Sequence, residues 1–114
     1  MNEAELNSLL LESFPEIKND FDDYVSWQDA MDTGCFLTFE DLLLPVARRA
    51  LKAGDSNMLE RIGAFTETLM GSGDEYTVNV ATVAILEGLK AEGDPRVRSH
   101  LGAISLAEYD GLTH

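Results

Sequence analysis

The chain has 114 residues, 45% hydrophobic and 25% charged, which is the balance of a single folded domain (1–114) rather than a disordered segment. Its 21 acidic residues outnumber 8 Lys and Arg, and the resulting formal charge of −13 opposes direct binding to DNA, RNA or an anionic membrane. One cysteine, Cys35, excludes an internal disulfide and fits a reducing compartment.

Helical periodicity runs through the chain, and no stretch reads as a strand. Leu6, Leu9, Leu10 and Phe14 share one face of a first helix. Pro15 opens a second, at a position where its missing N–H is harmless. Ile17, Phe21, Tyr24 and Val25 form the apolar face of that helix, and Asp20, Asp22 and Asp23 point to its sides and back. A loop is expected around Asp32–Leu37. Thr38 is placed to cap a third helix, with Asp41 at its third position and Leu37 stapled onto Leu42. This helix should reach about Ala53 and stop at Gly54, with Pro45 bending it or delaying its start. Arg48, Arg49 and Lys52 suit the negative end of its dipole.

Asp55 or Ser56 caps a fourth helix with Leu59, Ile62, Phe65, Thr66 and Leu69 inward, ended by Gly71. The fifth, from Asp74 to about Ala91, is apolar on most sides, so it is expected at the centre of the fold. Gly93 stops it. Asp94-Pro95 opens a sixth helix carrying Val97, Leu101 and Ile104, and 105–114 adds at most a short turn. The expected fold is all-α, with about six helices in antiparallel pairs, either HEAT-like or a compact bundle.

The charge is unevenly placed. Met1–Asp41 holds eleven acids and one base, Lys18, whereas the remainder holds ten acids and seven bases. Self-repulsion destabilises a compact state, so such a block points to a basic partner; the plain alternative is a solvated face. The candidate partner-binding residues are Asp20, Asp22, Asp23, Tyr24, Trp27, Asp29, Asp32 and Glu40, with the aromatics as anchors among carboxylates. Trp27 reads either as an interface anchor or as the edge of the core. Glu108-Tyr109-Asp110 is a second-choice surface.

Catalytic and metal chemistry find little support. Cys35 and His100 could form a nucleophile pair by arithmetic alone, but no base flanks the thiol. Asp29, Gly34 and Glu40 match positions of a calcium loop, while Met31 and Thr33 occupy positions that need carboxylates or amides, so no calcium site is expected. Gly71-Ser72-Gly73 lacks the lysine and the preceding strand of a phosphate loop and reads as a turn. No enzyme activity and no cofactor are expected. MNEAELNSLLLESF has neither a basic region nor a small-residue cleavage site, so no secretory signal is expected. The longest nearly apolar run, 78–86, is broken by Asn79 and Thr82 and is too short to span a bilayer. The expected location is the cytoplasm.

Val78-Asn79, Val83 and Leu86-Glu87 with Leu89, together with Leu10 leading into Phe14-Pro15-Glu16-Ile17, resemble the signature of small, acidic, mostly helical bacterial proteins. Many of these are encoded beside polymorphic toxins and are held to be immunity proteins. The resemblance implies a monomer that binds a cognate toxin with a basic surface and blocks its active site. It also implies structural roles for Asn79, as a buried amide bridging to backbone, and for Glu87, closing a helix contact. The alternatives are an acidic secretion chaperone or adaptor, which would dimerise and expose an apolar groove, and a plain helical scaffold.

Overall fold

Asn2 and Glu5 start the fold with a reciprocal cap. The Asn2 side chain accepts from the Glu5 N–H at 2.8 Å, and the Glu5 carboxylate accepts from the Asn2 N–H at 3.1 Å. Helix α1 (Glu3–Ser13) follows, burying Leu6 and Leu10, with Phe14 buried just beyond it. The structure, a computed structural model, describes residues 1–25 and 35–112, with the side chains of Tyr24, Val25, Cys35 and Leu37 outside that description.

Pro15 enters a 3-10 turn (Pro15–Ile17) that leads directly into α2 (Lys18–Val25). The next helix begins earlier than the sequence led us to expect. Segment α3 (Cys35–Thr38), a π-helical segment (Phe39–Leu43) and α4 (Leu44–Ala53) run on without a break. Thr38 is therefore not a cap: it has helical dihedrals, makes no capping hydrogen bond and is fully buried. Pro45 accounts for the π segment. In an α-helix its ring would press on the carbonyl four residues back, and the wider π turn, in which the Leu44 N–H reaches the Phe39 carbonyl, relieves that clash.

Gly54, at φ 69°, ends α4, and the Asp55 carboxylate caps α5 (Ser56–Met70) through the Met58 N–H at 3.1 Å. Leu59, Ile62, Phe65, Thr66 and Leu69 are buried on α5 as their spacing predicts. Asp74 caps the central helix, which again comes in three unbroken pieces: α6 (Glu75–Val80), a π segment (Ala81–Leu86) and α7 (Glu87–Glu92). Its middle is buried on nearly all sides, with Val80, Ala81, Ala84, Ile85 and Leu86 wholly out of solvent. The second π segment touches α3, the first π segment, α5 and α8, which confirms its central place.

The C-terminal part departs from expectation. The segment opened by Asp94-Pro95 is a 3-10 helix (Pro95–His100), and the regular helix is α8 (Ala103–Gly111), where only a short turn was expected. Val97 is buried as predicted, but Ile104 is 49% exposed, and Tyr109 takes the inward place instead.

The described residues form an all-α fold. Short connections make α4 turn back on α5, and α5 on α6. The radius of gyration, 13.3 Å, is that of a compact globule of this length, about 13 Å. Among the described residues no helix is long and apolar enough to cross a membrane.

Candidate partner-binding surface

Helix α2 presents the acids. Ile17 and Phe21 are buried and fix which side of α2 faces the core, leaving Asp20, Asp22 and Asp23 exposed. The turn before α2 is held to α5 by Arg61, whose guanidinium forks onto Glu16 at 2.7 and 2.8 Å and donates to the Ser13 carbonyl at 2.9 Å. Arg61 also lies over the Phe14 ring, 5.2 Å from its centre. The hydrogen bonds from Arg61 hold the Glu16 carboxyl below its ordinary range.

On α2 itself, Lys18 pairs with Asp22 at 3.0 Å, one turn on. Asp20 makes no hydrogen bond or ion pair with another described residue. Asp23 does have an interaction. Glu40 lies on the first π segment, half-buried, on a separate helix from Asp20, Asp22 and Asp23. The backbone of Tyr24 belongs to α2, but its side chain lies outside the description; so do Trp27, Asp29 and Asp32, and with them the first half of the loop considered for calcium.

The C-terminal surface does not hold together as one patch. Tyr109 is 4% exposed, with the Lys90 ammonium 4.6 Å from its ring centre and 3.2 Å from its carbonyl oxygen. Burial pushes its phenol pKa up. Asp110 takes a two-pronged bond from Arg98, at 2.9 and 2.8 Å, which holds its carboxyl down. Of these three residues, only Glu108 is exposed and makes no hydrogen bond or ion pair with another described residue.

Asn79 also differs from expectation: it is exposed on α6, not buried. The helical repeat brings Val80 and Ala81 inward, which turns the neighbouring Asn79 to solvent. Glu87 is half-buried and engaged. Asn79 lines an open depression of about 890 Å³, together with Asp74, Glu75, Tyr76, Thr82 and Glu108. Sequence reasoning missed this depression because its lining comes from distant parts of the chain, 73–82 on one side and Glu108 of α8 on the other. The one available signal was Asn79, a polar residue set between Val78 and Val80.

His100 donates to or accepts from Glu60 at 2.6 Å and belongs to the seam between the 3-10 segment and α5. Among the described residues no group of three His, Cys, Asp or Glu side chains could hold a metal ion. A family model described as a domain of unknown function, DUF7674, matches residues 7–114, so the chain belongs to that family. No curated protein and no solved structure matches it.

Proposed function

We propose that the chain is an immunity protein that neutralises a basic toxin domain by binding it through the acidic face around α2. The observation that carries this reading is the charge distribution, eleven acids against one base in Met1–Asp41. The exposure of Asp20, Asp22 and Asp23 on a helix anchored by Phe21 supports it. Such a field steers a cationic partner into contact, with association at about 10⁸ M⁻¹s⁻¹ or above at low salt. Once seated, the acidic face blocks the toxin's active site sterically and electrostatically. The lifetime of the complex comes from a few desolvated anchors, for which Tyr24 and Trp27 are the aromatic candidates.

One observation favours this reading over a secretion chaperone. The large hydrophobic residues exposed among the described residues are Met1 and Ile104, which do not amount to an apolar groove for an extended segment.

The test is capture of partners from the native host by the tagged protein at low and at about 0.5 M salt, where screening shortens electrostatic reach to a few ångströms. One stoichiometric basic protein, held at least partly at high salt and toxic unless this chain is co-expressed, is the expected result. No partner, or a diffuse set lost entirely in salt, overturns the proposal.

A further inference from the structure

Across the fold's acidic surface, most carboxylates are already engaged. Asp74 pairs with the Met1 amino group, Asp94 with Arg96, Asp110 with Arg98, Glu92 with Arg48, and Glu67 caps α8. Glu75 and Glu108 are exceptions: both are exposed, and neither makes a hydrogen bond or ion pair with another described residue. They stand on different helices, α6 and α8, and both line the same depression. The same depression is lined by Asn79, likewise without a hydrogen-bond partner among the described residues, and by the half-buried Tyr76. The Tyr76 ring is held by an edge contact with Phe36, at 6.1 Å between centres, and its hydroxyl lies 3.4 Å from Glu3. The lining is thus a fixed aromatic wall, an unused amide and two unused carboxylates in a concavity large enough for a side chain and adjoining backbone.

We infer that this depression docks a basic segment of a partner protein, taking one Lys or Arg side chain between Glu75 and Glu108. The aliphatic stem of that side chain lies along Tyr76, where its cationic head also gains from the ring face, and Asn79 bonds to the adjoining peptide group. The choice of occupant rests on charge complementarity in a chain of net charge −13. The inference deepens the reading of the chain as a binder of basic proteins, and it adds a second contact surface separate from α2.

The test is a titration of the full-length, ¹⁵N-labelled protein with a short peptide of Arg, Lys and Gly, followed by amide spectra. The control is the same peptide with citrulline and norleucine in place of Arg and Lys. Saturable shifts at Gly73, Tyr76, Asn79 (including its side-chain amide) and Thr82 are expected with the charged peptide only. Both E75Q and E108Q remove an exposed, unpaired charge, so the double variant should keep its fold and bind the peptide about tenfold more weakly. Shifts centred on Asp20–Asp23, shifts spread without saturation over all acids, equal shifts with calcium alone, or unchanged binding by E75Q/E108Q would each overturn the inference. If a toxin is captured but E75Q/E108Q binds it as well as the parent does, this surface fails while the toxin reading stands. If the peptide docks here and no toxin is found, the reverse holds.

Discussion

A β-carbon at Gly63 would collide with the backbone carbonyl of His100. The obstacle is main chain, so it cannot swing aside as a side-chain end can. Gly63→Ala should therefore force the 3-10 segment away from α5 and destabilise the protein by about 1–3 kcal/mol, the usual range for overpacking. Gly54 is constrained differently. It has open space around it but a φ of 69°, so Gly54→Ala should lose only about 1 kcal/mol to the left-handed backbone. Urea denaturation of the two variants should rank them in that order. A Gly54 variant costing more than the Gly63 variant would contradict the packing described for α5.

At the scale of elements, α8 shows where sequence reading stops. Gly102 precedes it and has no side chain to cap with. The cap comes from α5: Glu67 accepts from the Ile104 N–H at 3.1 Å, and from the N–H and hydroxyl of Ser105, both at 2.8 Å. Burial pulls the Glu67 pKa up, but these three donors outweigh it and the net displacement is downward. A side chain at Gly102 would displace this carboxylate. Glu67→Ala should fray α8 and cost about 1 kcal/mol, as loss of a cap does elsewhere, seen as faster amide exchange across 103–109. Unchanged exchange there would mean that Tyr109 alone holds the helix. The cap of α5, narrowed to Asp55 or Ser56, and the buried stripe of α5 could be read from the sequence because their partners lie within a few turns. The cap of α8 lies 37 residues away from Ile104 in the chain, and Thr38 misled because a threonine before an acidic turn looks the same inside a continuous helix. For the candidate site, exposure of Asp20, Asp22 and Asp23 followed from the Phe21 face. The depression did not, since its lining joins Glu108 of α8 to residues 73–82, far apart in the chain.

At the scale of the molecule, charge governs both stability and association. Neutralising α2 with D20N/D22N/D23N should slow association with a basic partner about tenfold at low salt and far less at high salt, with dissociation changed less, as surface-plasmon kinetics would report. A salt-independent effect would argue against steering. Stability has its own pH dependence. Asp94 is lowered to about 2 by hydrogen bonds from the Arg96 side chain and backbone, and Asp74 to about 2 by the Met1 amino group and Thr77. Both lie below the unfolded value of about 3.9. Their contribution is therefore complete above about pH 4 and is lost as the pH falls toward 2. Asn caps a helix nearly as well as Asp, so Asp94→Asn isolates the charge. The difference in urea midpoint between parent and variant should be constant from pH 7 to about 4 and shrink below that. A difference that instead grew in acid would reverse the assignment.

The two π segments have a consequence for how a single rod is used. Each closes its turn with one residue more than an α-turn needs, so the residues after it are rotated out of phase with those before it. One continuous helix therefore carries two stripes aimed in different directions. On the central helix, α6 with its π continuation meets α5, while α7 meets α4. A single helix thus serves two neighbours that an unbroken α-helical repeat would have brought onto one line.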